Sequence, residues 1–303
     1  MFAKETENPM ATEDLDPNFV DIDKWSSKQA IEAMADGQFA AIEAVKSASS
    51  ALAVAVDAAK QRLEGTKGRL VYIGAGTSGR VAVQDGVELN PTFGWPWDRL
   101  VFAMAGGTVA LMQAVENAED DRAAGASAMQ DAKVGKDDVV IGVAASGQTP
   151  YTLAAIETAK TDGALTIGIS NNPNTALLKK AEIGILLETG SEPLAGSTRM
   201  KAGTSQKIAL NLFSTALMIG LGGAYRGYMV GMIATNAKLR ARATQIVMSL
   251  TNVSPEIAAE AVNKANGNLK IAVLIALGIG DSDSTKDLLA AANGNLRKVI
   301  EGS

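Results

Sequence analysis

The chain has 303 residues, 47% hydrophobic and 20% charged, a net charge of −5, and neither histidine nor cysteine. That length can bury a full core, while the missing imidazole and thiol exclude a Ser-His-Asp triad, His-ligated zinc, disulfides and thiolate chemistry. Aromatics at 4% and the lack of a basic run make nucleic acid and anionic membrane poor partners. Any anionic ligand must therefore be held by local donors, and any catalysis falls to carboxylates, lysines, tyrosines and backbone groups.

The N-terminus, Met1 to Asp16, is acidic and polar with no signal-peptide core, and residues 1 to about 25 read as loosely structured. From Ser26 to Gly65 an alanine-rich stretch spaces Ile31 and Met34, Ile42 and Val45, and Leu52 and Val56 helically. From Arg69 onward apolar runs alternate with helical patterns. This predicts an α/β fold with a doubly wound parallel five-stranded sheet flanked by helices. The predicted strands are Leu70–Ile73, Leu100–Ala103, Val139–Ala144, Leu165–Ile169 and Ile183–Leu187. The predicted helices between them are Ser78–Leu89, Val109–Ala124, Tyr151–Thr161 and Thr175–Lys180. After Gly190 a polar loop feeds a long helix to about Gly220, and a second covers Ile233–Leu250. The longest apolar stretch, Ile208–Gly223, contains Asn211 and is too short and mixed to span a membrane, so a soluble cytoplasmic protein is expected. Residues 251–303 read as a small helical domain following a main domain over 1–250. An internal echo, ANGNLK from Ala265 and ANGNLR from Ala292, predicts a left-handed glycine just after each helix, with Asn268 or Asn295 capping the next.

Ligands of parallel sheets bind outside the carboxyl ends of the strands. The loops there are Gly74–Gly79, Ala105–Thr108, Ala145–Pro150 and Ser170–Asn174, built mostly from Gly, Ser, Thr and Asn. Gly74-x-Gly76-x-x-Gly79 matches the dinucleotide fingerprint, but the acid that should end the second strand is missing. That strand runs into Met104-Ala105-Gly106-Gly107, and the nearest acid, Asp98, precedes it. A phosphate or sugar phosphate fits better, since free N–H groups and the helix dipole converge on the loop and Thr77 and Ser78 add hydroxyls. Ser146, Gly147 and Thr149 repeat the pattern after the third strand; the alternative is simple capping of the helix begun by Pro150. Glu88, in the last turn of its helix, is either a general acid in an unfavourable dipole field or a solvated carboxylate. Glu116, beside Glu119, Asp120 and Asp121, is either a second working carboxylate or ordinary acidic surface. Arg199 and Lys201 open the long helix.

GAGTSGR at Gly74–Arg80, AASGQTPY at Ala144–Tyr151, GSTRMKAGTSQK at Gly196–Lys207 and ATNAKLRARA at Ala234–Ala243 resemble the N-acetylmuramic acid 6-phosphate etherases. These are lyases of the sugar isomerase (SIS) fold. The likeness runs from about Thr6-Glu7-Asn8 to the tail, which resembles that family's ubiquitin-associated-like domain. The resemblance implies removal of D-lactate from C3 of N-acetylmuramate 6-phosphate, leaving N-acetylglucosamine 6-phosphate, in peptidoglycan recycling. It implies an open-chain aldehyde intermediate and no metal or cofactor. Glu88 falls at the family's acid and Glu116 at its second glutamate, here assigned as general acid to lactate and C2 base. Gly76, Thr77, Ser78, Ser146, Gly147 and Thr149 would hold the phosphate end. Ser197 and Lys201 would join the substrate site, Lys201 and its neighbours from across a homodimer interface. Where the family usually reads Ala-Ser-Glu-Cys-Pro-Pro, this chain has Gly86-Val87-Glu88-Leu89-Asn90-Pro91. That removes a hydroxyl at Val87 and is expected to loosen the turn at Asn90; the loop between the glutamates is also shorter than usual.

Two other readings compete. A non-catalytic sugar-phosphate regulator of the same fold, related to glucokinase regulatory proteins, needs the phosphate loops but no acid–base pair. An aldose–ketose isomerase of this fold often opens the sugar ring with a histidine, which is absent here.

Overall fold

The structure is a computed structural model describing residues 11–302; the Thr6-Glu7-Asn8 start of the resemblance lies outside them. Three short 3-10 turns, the last at Ile22–Lys24, precede α1 (Ser27–Gly37), α2 (Phe39–Ser47) and α3 (Ser49–Leu63). Residues 11–25 are not loose. Thr12 is fully buried, and the Asp16 carboxylate caps the second turn by accepting the Asn18 N–H at 3.0 Å. The chain continues with β1 (Leu70–Gly74), α4 (Gly76–Val87), α5 (Leu89–Phe93), β2 (Leu100–Met104), α6 (Arg122–Asp131), β3 (Val139–Val143), α7 (Pro150–Thr161), β4 (Leu165–Ser170), α8 (Ala176–Lys180), β5 (Ile183–Leu186) and α9 (Lys201–Gly220). A two-residue antiparallel pair, β6 (Ala224–Tyr225) and β7 (Tyr228–Met229), leads to α10 (Ala237–Thr251), α11 (Pro255–Lys264), α12 (Leu269–Ala276), α13 (Ser282–Ala291) and α14 (Leu296–Glu301). No single helix among the described residues is long and apolar enough to cross a membrane.

The chain divides into two compact units. One holds the residues up to Gly86 with Asp98–Phe213; the other holds Val87–Trp97 and everything from Ser214. The first unit contains the sheet, all parallel, in the order β2-β1-β3-β4-β5. All five expected strands are present, because runs such as Leu70-Val71-Tyr72-Ile73 are apolar throughout and suit strands covered on both faces. Val71, Ile73 and Val140 pack beneath Ala155, Ile156 and Leu177 of α7 and α8. The helix before the first strand, α3, packs on β3, β4 and β5.

The helix expected over Val109–Ala124 does not form. Gly106 and Gly107 leave β2 with φ of 82° and 70°, and Asn117 is left-handed at φ 61°. Asp121 then accepts the Ala124 N–H at 2.9 Å as N-cap of α6. An acidic run that looks like a helix face is thus a loop with a cap at its end.

Gly86 in α4 is a packing position. A Cβ there would sit 2.4 Å from Phe102 Cε1 and 2.8 Å from Tyr72 Cε2. Gly86→Ala gains ~1 kcal/mol of helix propensity but overpacks the contact at ~1–3 kcal/mol, so a lower melting temperature is expected. Adding Phe102→Leu should restore it; a double variant no better than the single one would refute the packing explanation.

The second unit is helical. The boundary expected at residue 250 falls inside it, at the end of α10. Ala243, Ile246, Val247 and Leu250 of α10 share one apolar cluster with Ala258, Ala261, Leu269 and Val273 of α11 and α12. The repeated turns differ in one respect from expectation: Asn266 and Asn293 enter the left-handed region first (φ 50° and 51°), and Gly267 and Gly294 follow (79° and 73°). Asn268 and Asn295 cap the next helices as expected, accepting from Ile271 and from Arg297 and Lys298. Each turn meets the segment between α9 and α10. Ala234 N–H donates to Gly267 O at 2.9 Å, and Gly222 lies so close to the other turn that a Cβ would be 3.0 Å from Asn295 Cα.

Lys270 crosses between the repeats, its Nζ donating to Gly294 O at 2.5 Å. Burial lowers its pKa from 10.5 to about 8. The unfolded chain therefore binds more protons than the folded one between those values, and stability rises with pH there. The melting-temperature difference between wild type and Lys270→Met should move in favour of wild type from pH 7 to pH 10. A pH-independent gap would contradict the burial.

Candidate active site

The loop after β1 turns on Gly76, whose φ of 52° and open surroundings suit glycine and expose backbone to a ligand. Gly79 lets α4 close on the strand ends: a Cβ there would meet Met104 Sδ at 2.4 Å and Gly74 O at 2.7 Å. Ser78 is 8% exposed, and its hydroxyl is engaged by no described residue. Thr77 faces the start of α9, where a Cβ at Gly203 would lie 3.2 Å from Thr77 Cγ2. The glycine loop and the Gly196–Lys207 block, separate in sequence, are neighbours in space.

A cleft of about 210 Å³ opens beside this loop, lined by Gly76, Arg80, Met104, Glu116, Asn117 and Glu119 among others. Glu116 is exposed and sits on the irregular segment after β2, not on a helix. Arg80, from the second turn of α4, pins that segment: Nε donates to Ala110 O at 2.9 Å and an Nη to Gln113 O at 3.2 Å. In sequence Arg80 is only the last letter of the GAGTSGR motif, and its role as a clamp depends on the irregular path of the segment after β2.

After β3, Gly147 turns with φ 62°, and a Cβ on it would lie 2.3 Å from Thr175 Oγ1 and 2.6 Å from Ser170 Oγ. Pro150 opens α7 as expected, but Thr149 at the N-cap position makes no side-chain cap. Its hydroxyl is thus not consumed by the helix, whereas Ser146 Oγ accepts the Gln148 N–H at 3.2 Å. Thr175 Oγ1 is buried without a hydrogen-bond partner, an orphan hydroxyl at the base of this loop. Behind it, Asn171 and Asn172 tie the strand ends together. Asn171 Nδ2 donates to Leu187 O and Ser205 Oγ, both at 2.8 Å, and Asn172 Nδ2 donates to Ala145 O and Thr12 Oγ1, both at 2.9 Å. An Asn-Asn pair directly after a strand was the available signal for this scaffold.

The start of α9 is capped from a distance. Glu192, fully buried, accepts the N–H of Lys201 at 2.9 Å and that of Ala202 at 2.8 Å. Nine residues separate acid and helix, so no local capping signature announces it. Lys201, expected to reach across an interface, is only 6% exposed, its Cδ 3.8 Å from where a Cβ of Gly37 would be. Little of it is left for a second copy to touch. Ser197 belongs to the preceding turn, donating its N–H to Leu194 O at 2.9 Å.

Glu88 follows α4 with helical angles (φ −78°, ψ −14°) and precedes α5. It is exposed and belongs to the second unit. The next turn is fastened rather than loosened: Asn90 Nδ2 donates to Trp95 O at 2.8 Å, and Gly94 ends α5 at φ 68°.

Family models for the glucokinase regulatory protein N-terminal SIS domain and for the SIS domain match residues 51–160 and 110–216. The N-acetylmuramic acid 6-phosphate etherase of Deinococcus radiodurans is 47% identical over 97% of this chain and 96% of its own length. The proteins of that name from Rubrobacter xylanophilus and Pasteurella multocida are 43% identical (93% of this chain, 94% of theirs) and 40% identical (96% of each). The chain belongs to the N-acetylmuramic acid 6-phosphate etherase family. For an etherase of the SIS fold, the glycine loop and Glu116 share one cleft, while Glu88 belongs to the other unit.

Proposed function

We propose that this etherase-family chain is a carbon–oxygen lyase that cleaves the D-lactyl ether of N-acetylmuramate 6-phosphate, yielding N-acetylglucosamine 6-phosphate and D-lactate in cell-wall amino sugar recycling. The observation that carries the reading is the cleft in which Gly76 and Glu116 meet, read with the family's near full-length identity. Gly76, Thr77 and Ser78 offer backbone and hydroxyl donors to the phosphate at the start of α4, and Gly147 and Thr149 offer more from the next loop. With the sugar open, the C1 aldehyde acidifies the C2 proton. Glu116 takes that proton, the C3–O bond breaks with its electron pair leaving on the lactyl oxygen, and a C2=C3 double bond forms. Glu88 gives the departing oxygen its proton. Water then adds across the double bond, hydroxyl to C3 and proton to C2, so atoms balance without a redox partner. A regulator would need the phosphate donors alone; a carboxylate lining the same cleft weakens anion binding and is explained by proton transfer.

The test is direct. Incubation with N-acetylmuramate 6-phosphate should release D-lactate and N-acetylglucosamine 6-phosphate in equal amounts. Tight binding of a hexose phosphate without lactate would overturn the lyase and leave the regulator.

A further inference from the structure

Building on the etherase reading, we propose that Arg80 is a positioning residue for the base: it holds the segment carrying Glu116 at a set distance from the phosphate seat on α4. Little else anchors that segment. Of the ten residues from Thr108 to Asn117, Ala110 alone is buried, Leu111 is half-buried, and the other eight, Glu116 included, are exposed. A stretch with so few buried apolar contacts opens at small cost. Its own turns are local: the N–H groups of Met112 and Gln113 both donate to Val109 O at 3.0 Å. One side chain packs back on the strand end, since a Cβ on Gly106 would lie 2.8 Å from Val115 Cβ. A group that takes a proton from carbon needs tighter control, because ~1 Å of misplacement can cost ~10²-fold in rate.

Arg80 supplies the attachment that local turns cannot. Its guanidinium reaches 30 and 33 residues along the chain, Nε donating to Ala110 O at 2.9 Å and Nη2 to Gln113 O at 3.2 Å. The first carbonyl belongs to the 3-10 turn Thr108–Leu111, and the second lies three residues before Glu116. Two bonds from one planar fork fix orientation as well as distance. The other end of the strut is α4 itself. Arg80 stands one turn after Gly76 on the same helix face, ~6 Å further along, and Gly76, Arg80 and Glu116 line one cleft. A phosphate held by the first N–H groups of α4 and the carboxylate on the segment after β2 are thus both placed relative to one helix. Arg80 is the link between them, and all of these groups belong to the sheet-containing unit.

Two variants separate grip from charge. Arg80→Lys keeps the charge but replaces the fork by a point contact, whereas Arg80→Met loses both. Circular dichroism checks that each is folded at the assay temperature, and Arg80→Lys carries the test should Arg80→Met not fold. With N-acetylmuramate 6-phosphate, Arg80→Met should lower kcat and the exchange of the C2 proton in D₂O together, by ~10–10²-fold. Arg80→Lys should fall between it and wild type in both rates, with KM and the dissociation constant of N-acetylglucosamine 6-phosphate unchanged, because the charge near the anion is kept. Hydrogen–deuterium exchange read by mass spectrometry should show faster uptake across residues 108–117 in both variants and none in β1 or β3. Arg80→Lys with wild-type kcat would overturn the proposal, as would uptake across 108–117 that matches wild type. A raised KM and weaker product binding at unchanged kcat would make Arg80 an anion ligand and overturn it too. Wild type that releases no lactate defeats the etherase reading instead; faster uptake confined to 108–117 in the variants then still supports the hold of Arg80 on the segment.

Discussion

Replacing Glu88 by Gln should lower D-lactate release by ~10²–10⁴-fold, the usual worth of a positioned proton donor, while exchange of the substrate's C2 proton with solvent survives. An alkoxide is a poor leaving group near neutral pH, so the C3–O bond breaks readily only as the oxygen receives a proton. Glutamine keeps the shape of the side chain but has no proton of suitable acidity to give. In the proposed mechanism the C2 proton goes to a different residue, Glu116, in the cleft with Gly76. Glu116→Gln should therefore abolish both exchange and lactate release, because elimination cannot start without the carbanion. Incubation in D₂O with mass analysis of recovered substrate reads exchange, and an enzymatic lactate assay reads cleavage. If Glu88→Gln loses exchange along with cleavage while Glu116→Gln keeps exchange, the two roles are reversed. A Glu88→Gln enzyme with wild-type lactate release would remove Glu88 from the mechanism.

Apolar runs and glycine punctuation make the sheet readable from the sequence, since a strand covered on both faces has little choice but to be continuously apolar. Leu70–Gly74 and Val139–Val143 show this most clearly. The glycine turns after β1 and β3 were equally readable, because positive φ and close approach leave glycine as the natural residue at Gly76 and Gly147. The segment carrying Glu116 reads as helix in sequence because its acids fall at helix-like spacing. Asn117 in the left-handed region and Asp121 as a cap interrupt it, and both residue types tolerate either role. Glu192 and the Asn171–Ser205 link were out of reach for a different reason, since their partners lie 9 to 34 residues away and only the folded chain brings them together. The partition of the chain was hidden likewise: Val87–Trp97 joins the helical unit, so the two glutamates assigned to one reaction fall in different units.

Glu192→Ala should produce the largest loss of stability among single substitutions in the site's scaffold, ~3 kcal/mol, together with a raised KM for sugar phosphate. The carboxylate is fully buried and accepts two backbone N–H groups at the first turn of α9. Hydrogen bonds to a charged acceptor are worth ~1.5–3 kcal/mol, and each buried N–H left without a partner costs ~1–3 kcal/mol. The helix dipole adds to the loss, because the negative charge sits where the first N–H groups point. These contributions overlap, since water can enter the space left by the side chain and satisfy one donor, which keeps the net figure near the middle of the range. At a few degrees per kcal/mol for a unit of this size, the melting temperature should fall by about 6–10 °C. Glu192→Gln should fall between Ala and wild type, because its carbonyl oxygen still accepts one N–H while its amide group faces the other as a second donor. The functional consequence follows from what α9 touches. Gly203, in the first turn of the helix, packs on Thr77 of the glycine loop, so a frayed first turn releases the wall behind the donors proposed for the phosphate. Assayed well below its melting temperature, the Ala variant should therefore show KM rising more than kcat falls, because neither glutamate proposed for the chemical step is on α9. An Ala variant that melts within 1 °C of wild type would show that the buried carboxylate contributes nothing net to the helix it caps; a loss confined to kcat would show that α9 acts on the chemistry rather than on the phosphate.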